Sequence, residues 1–163
     1  MTTRPASKYL ATYLNDHLAG ATLGVELARR AVSEYEGTPL GSFLAGLADE
    51  IAADRQALQE LMDGVGVGAD RKKVVSAWLV EKAGRLKPNA HLLTPSPLSP
   101  LIELEALALG IEGKRLLWRA LRSVADEHGL PADRLDELGA RARRQRDRVE
   151  RQRIALVQRA LAG

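Results

Sequence analysis

The sequence predicts an all-α fold, a single domain of four long helices connected by a tight turn, a long crossover and a second tight turn. Three observations carry this expectation. Apolar residues recur at steps of three and four through four long stretches, the period of a helix with one buried face. Glycine and proline fall between those stretches at positions that stop one helix and start the next. The composition agrees: 45% apolar but only 4% aromatic, with 28% charged residues, a mixture of Leu, Ala, Val and Ile that favours helix over sheet.

The first stretch, Leu10 to Tyr35, places Leu10, Leu14, Leu18, Ala21, Val25, Ala28, Val32 and Tyr35 on one face at about 100° per residue. Asn15, Ala19, Thr22, Glu26, Arg29, Arg30 and Ser33 fall opposite, and Gly20, Gly24 and Ala31 sit beside the apolar face. Ser7 precedes the stretch as a cap, and Gly37 ends it. Thr38-Pro39 is a cap followed by proline at the first helical position, so a second helix restarts at once and forms an antiparallel hairpin with the first. It continues to about Asp63 with Leu40, Phe43, Leu44, Leu47, Ile51, Leu58, Leu61 and Met62 as its stripe.

Gly64-Val65-Gly66-Val67-Gly68 then breaks the pattern as a hinge; no strand precedes it and no Gly-Lys-Ser/Thr follows, as a phosphate loop would need. The crossover, about 64–99, contains a shorter amphipathic helix from Asp70 to Leu86, with Val74, Val75, Trp78 and Leu79 on one side and Lys72, Lys73, Lys82 and Arg85 on the other. The prolines of Lys87 to Pro97 make the rest an extended strap. Ser99-Pro100 restarts helix as cap plus proline, and the third long helix runs to Glu127 or His128, closed by Gly129. Its main stripe is Ile102, Ala106, Leu109, Leu116, Leu117, Ala120, Leu121 and Val124, widened by Leu104, Leu107, Ile111 and Trp118, so it is expected to be covered on two sides. Leu130-Pro131 opens the fourth, with Leu135, Leu138, Ala142, Gln145, Val149, Gln152, Leu156 and Ala160 as its stripe to about Leu161.

Composition narrows the chemistry. There is no Cys, which excludes disulfides, thiolate zinc sites and Cys nucleophiles. Neither a Gly-x-Ser-x-Gly elbow nor a His-Glu-x-x-His helix is present, so nucleophilic catalysis finds no support. MTTRPASKY has no apolar signal-peptide core and no apolar run reaches the ~20 residues of a membrane span, from which a cytoplasmic protein is expected. Net charge is only +3, but its distribution is uneven. Arg141 to Arg159 carries +6 and Pro39 to Asp63 carries −4, so the second and fourth helices complement one another. Nucleic-acid binding through the Arg-rich fourth helix is an alternative; it would need the arginines on one exposed stripe, and Arg143, Arg144, Arg148 and Arg151 are spread around the helix.

In its order of elements, and in local stretches such as YLNDHLAGATLGVELARRA of the first helix, the chain resembles the ferritin-like superfamily, in particular its small bacterial families. The resemblance covers the whole chain, 1–163, and implies a ferritin-like four-helix bundle with a long crossover. Members that bind two metals place Glu on the first and third helices and Glu-x-x-His on the second and fourth. Here Glu26 of the first helix faces solvent by angle, and the third helix offers Glu103 or Glu105. The second offers Glu50-Ile51-Ala52-Ala53 and the fourth Glu150-Arg151-Gln152-Arg153, so both histidines are replaced. By this resemblance the chain is a degenerate member whose di-metal ligand pattern is lost.

The expected interior is nevertheless polar. Glu50 and Asp54 project from the apolar face of the second helix, His17 lies at the edge of the first, and Gln145 and Gln152 hold core positions on the fourth, flanked by Arg146 and Arg153. Buried charges are costly unless paired, so these seven residues are expected to form a buried polar cluster in which Asp54 meets Arg146 or Arg153. The alternative is a residual iron or manganese site using His17, Glu50, Asp54 and Glu103. The expected function is accordingly non-enzymatic: a metal-free bundle acting as a structural or protein-interaction module, with a metal-binding or metal-oxidising protein as the competing reading. A homodimer is expected, because the third helix is apolar on more than one side and the crossover helix has an apolar face of its own.

Overall fold

The computed structural model describes residues 7–70 and 98–161. Five helices make up this part of the chain: α1 (Lys8–Glu34), α2 (Pro39–Gly64), α3 (Ser99–Ser123), the single turn α4 (Ala125–His128) and α5 (Ala132–Leu161). No strand occurs among the described residues, and none of the helices there is long and apolar enough to cross a membrane. The expected crossover helix with Val74, Val75, Trp78 and Leu79, and the proline strap after it, lie outside the described residues.

Local chemistry sets most helix ends. The Ser7 hydroxyl accepts from the Leu10 amide at 3.1 Å, and the Thr38 hydroxyl accepts from Gly41 N at 3.0 Å, with Pro39 in the first turn of α2. Gly37 and Gly129 both adopt the left-handed conformation, φ 75° and 65°, that lets the chain leave one helix and turn into the next. Two ends differ from expectation. Ser99 is not a cap: α3 starts at Ser99 itself, and the flanking Leu98 makes no side-chain cap bond. The third helix also stops at Ser123, because the Val124 amide bonds back to Leu121 O and the Ser123 hydroxyl to Ala120 O. The tightened turn leaves α4 as a separate piece.

Two apolar clusters fill the interior and fix the helix directions. One joins Leu10, Leu14 and Leu18 of α1 to Leu58, Leu61 and Met62 of α2, Leu117, Trp118 and Leu121 of α3, and Leu135 and Leu138 of α5. The other joins Val25 and Ala28 to Leu44, Leu47 and Ile51, Leu104, Leu107 and Ile111, and Val149. The start of α1 thus meets the ends of α2 and α3 and the start of α5. Consequently α1 and α2 are antiparallel, α3 and α5 are antiparallel, and α2 runs parallel to α3. Gly64 and Ser99 lie at opposite ends of the helices.

The packing splits the stripe expected for α3: Leu117 and Leu121 turn inward as expected, but in company with the residues expected only to widen it. The buried side of the helix is Leu104, Leu107, Ile111, Leu117, Trp118 and Leu121, whereas Ile102, Leu109 and Leu116 of the expected main stripe are 53%, 74% and 49% exposed. Asn15 and Ala19, expected opposite the apolar face of α1, are buried. The Asn15 amide donates to Ala11 O (3.0 Å) and Gly68 O (3.2 Å), and its side-chain oxygen accepts from Asp70 N at 2.7 Å. One side chain therefore ties the glycine-rich hinge back onto the first helix.

Candidate functional site

A layer of charge separates the two apolar clusters. It falls where the clusters meet, from Glu50 to Ala57 on α2, between Ile111 and Leu117 on α3, and from Arg141 to Val149 on α5. Helical spacing explains why these positions coincide. Glu50 and Asp54 stand one turn apart on α2, Arg141, Gln145 and Arg148 share one side of α5, and Lys114 falls in the run 104, 107, 111, 114, 118, 121 on the inward face of α3. At this level α1 supplies Thr22, whose hydroxyl accepts from Arg55 Nε at 2.9 Å.

Asp54, only 2% exposed, is the centre of the layer. Its Oδ1 accepts from Arg141 Nε at 2.7 Å, and Arg141 Nη2 contacts the same oxygen. Its Oδ2 accepts from the Lys114 ammonium and from Gln145 Nε2 at 3.0 Å. Gln145, fully buried, links the parts: Lys114 donates to its Oε1 at 2.6 Å, while its Nε2 also donates to Glu50 Oε2 at 3.0 Å. Arg148 Nη2 closes the layer on both oxygens of Glu50, at 2.7 and 2.6 Å. Charge-assisted bonds of this kind are what a buried carboxylate requires.

The electrostatics follow from burial and pairing. Burial pushes the Lys114 ammonium below its ordinary range, and the charge and hydrogen bond of Asp54 recover part of that loss. Burial also pushes Glu50 up, but the hydrogen bonds from Arg148 and Gln145 and the Arg148 charge outweigh it, leaving this carboxyl below its usual value. With Lys114 protonated, two carboxylates face three cations, and the layer carries +1.

Of the seven residues expected in the cluster, the structure brings together Glu50, Asp54 and Gln145. The other four stand elsewhere. His17 packs edge-on against Tyr13, ring centroids 4.5 Å apart. Arg146 reaches outward to Glu112 at 3.5 Å, and Arg153 to Glu150 (2.8 Å) and Glu105 (3.4 Å). Gln152 is half-buried one turn beyond Val149. The cations on Asp54 are therefore Lys114 and Arg141, not Arg146 or Arg153, since α5 turns 141, 145 and 148 inward and leaves 146 and 153 on its flanks. The signal for Lys114 was present in the sequence: it completes the three-four run of Leu104, Leu107, Ile111, Trp118 and Leu121.

The metal alternative was expected to use His17, Glu50, Asp54 and Glu103, and of these only Glu50 and Asp54 are brought together. Glu103 sits near the other end of α1, beside Tyr35 and Glu34. There burial and the Glu34 charge push its carboxyl up, while contact with Tyr35 and the charge of Arg30 pull it down. The Tyr35 hydroxyl and Glu103 Oε2 are both buried without a partner in hydrogen-bonding geometry. No group of three His, Asp or Glu side chains able to hold a metal occurs among the described residues. In the layer itself all four carboxylate oxygens of Glu50 and Asp54 already accept from Lys114, Arg141, Gln145 and Arg148. This donor set does not fit a metal ion, because the cation it would need to neutralise these carboxylates is supplied by side chains.

Four of the eight arginines between Arg141 and Arg159, namely Arg141, Arg146, Arg148 and Arg153, are held by carboxylates. The exposed remainder includes Arg143, Arg144 and Arg151, at different angles around α5. Compared with protein-family models, with curated proteins and with solved structures, the chain gives no match.

Proposed function

We propose that this chain is a metal-free, ferritin-like four-helix bundle that works as a structural and protein-interaction module and self-associates as a homodimer. The supporting observation is the charge layer. In bundles of this type, inward carboxylates at mid-height of the helices hold metal ions. Here an ammonium, two guanidiniums and an amide donate to all four oxygens of those carboxylates, so their charge is balanced by side chains without a metal. The parallel course of α2 and α3, with Gly64 and Ser99 at opposite ends, supports the ferritin-like order of helices.

Two melting curves test the reading, one with micromolar manganese or iron under anaerobic conditions and one with chelator. They are expected to superimpose. A ligand at 100 times its Kd adds about 2.7 kcal/mol to stability. A melting temperature raised by metal, with the rise abolished in Asp54→Ala, would establish the metal-binding alternative instead.

A further inference from the structure

Where the end of α1 meets the second turn of α3, the fold buries two oxygens that it does not satisfy. The Tyr35 hydroxyl and Glu103 Oε2 are shielded from solvent, and neither has a partner in hydrogen-bonding geometry. Buried polar atoms are normally paired, so such a pair of exceptions requires a physical account. Glu34 supplies one, because its exposed carboxyl lies within hydrogen-bonding reach of Glu103. Two carboxylates in contact repel, and an ionised Glu103 would leave a charged oxygen buried without a donor. One proton on Oε2 removes both costs. It turns the orphaned acceptor into a donor toward the Glu34 carboxylate, whose charge remains in water.

The two sides of this contact differ in rigidity. Tyr35 is anchored in the turn between α1 and α2: its amide donates to Ala31 O at 3.1 Å, and its carbonyl accepts from the Thr38 amide at 3.2 Å and the Thr38 hydroxyl at 2.7 Å. Gly41 approaches the same carbonyl so closely that no side chain would fit there. In contrast, α3 begins without a side-chain cap, and its first turns are held inward by Leu101 and Leu104. An uncapped helix end is where a packed helix opens first.

The groups acting on Glu103 are Glu34, Tyr35 and Arg30, all from the last two turns of α1 and its cap. The first turns of α2, Pro39 to Leu44, contain no titratable residue, and on α5 Arg153 is held by Glu150 and Glu105. Burial and the charges of Glu103 and Glu34 push the Tyr35 phenol up, so it stays neutral and Glu103 is the group that titrates. The folded state holds the Glu103 proton more tightly than the unfolded chain does. The contact is therefore stabilised at low pH and loses that stabilisation as pH rises through the folded-state value.

We propose that the contact between the end of α1 and the start of α3 is a proton-operated latch. One proton on Glu103, shared with Glu34, closes it, and release of that proton loosens the first two turns of α3 while the rest of the bundle stays folded. The latch lies apart from the charge layer and does not depend on the reading of the chain as an interaction module.

The full-length chain labelled with carbon-13 and nitrogen-15 tests this by magnetic resonance between pH 4 and pH 7. The Glu103 carboxyl carbon should titrate above the ordinary carboxylate range, and in Glu34→Gln its midpoint should fall. Over the same interval amide protection from Leu104 to Leu107, corrected for the intrinsic pH dependence of exchange, should drop about threefold or more relative to Leu117 to Leu121. In Glu103→Gln that protection should stay constant. A Glu103 midpoint indifferent to Glu34→Gln overturns the shared proton. Protection that does not follow the Glu103 titration, or that changes equally in Glu103→Gln, overturns the latch. Should either variant fail to fold, the parent chain decides alone, since its carboxyl and protection curves must share one midpoint.

Discussion

Asp54→Ala removes the carboxylate on which the charge layer converges, and the structure sets the size of the loss. Arg141 loses the acceptor of its Nε at 2.7 Å, but its side chain is 26% exposed and water can replace part of the bond. Lys114 is worse placed: its side chain is 13% exposed, and of its two acceptors only Gln145 Oε1 remains. An unpaired buried cation costs about 3–5 kcal/mol. A ceiling follows from the escape route open to lysine. Releasing the proton at pH 7 from a group whose ordinary pKa is 10.5 costs about 5 kcal/mol, at about 1.4 kcal/mol per unit. Asp54→Ala is therefore expected to destabilise by about 3–5 kcal/mol, a fall in melting temperature of about 6–20 °C for a chain of this length. Asp54→Asn should cost less, because its amide oxygen still accepts one bond.

The sign with pH provides a sharper signature. In the variant, the folded-state pKa of Lys114 falls further below its unfolded value, so between the two the unfolded chain binds more protons and stability rises with pH. The deficit should shrink from pH 7 toward pH 10. Lys114→Met in the Asp54→Ala background should restore about 2 kcal/mol or more, because the stranded charge is gone. Urea denaturation followed by circular dichroism measures all four corners of the cycle. A loss below about 1 kcal/mol, or one indifferent to both pH and Lys114→Met, would refute the pairing on which this reasoning depends.

Two further substitutions test the edges of the fold. Burial and the neighbouring Glu34 charge raise the Glu103 carboxyl, so the folded state holds its proton to higher pH and stability is lost as pH rises through that folded-state value. Glu103→Gln should thus raise the melting temperature at pH 7 and leave it nearly unchanged at pH 4; equal effects at both would point to packing instead. Asn15→Ala breaks three bonds of a buried amide, including those to Gly68 O and Asp70 N, and should cost about 1–3 kcal/mol. Amide exchange at Asp70 should accelerate in that variant, and protection equal to that of the parent would show that Asn15 does not hold the hinge.

The sequence by itself determined the helical class and most helix ends, because both depend on neighbours in the chain. Ser7 and Thr38 cap helices within three residues of themselves, and Gly37 and Gly129 supply local turns. The apolar period of α1, α2 and α5 named most of the core, and Asp54 and Gln145 were legible as polar residues on buried faces. Tertiary structure decided which of two apolar faces α3 turns inward. Counting apolar residues favours the side with Ile102, Leu109 and Leu116, since Lys114 interrupts the other. Burying Lys114 becomes favourable only when Asp54 and Gln145, 60 and 31 residues away in sequence, accept from its ammonium. Periodicity along one helix contains no information about a counter-charge on another. The same limit hid the partners of Asp54 on α5, where a rotation of one residue exchanges Arg141 and Arg148 for Arg146 and Arg153.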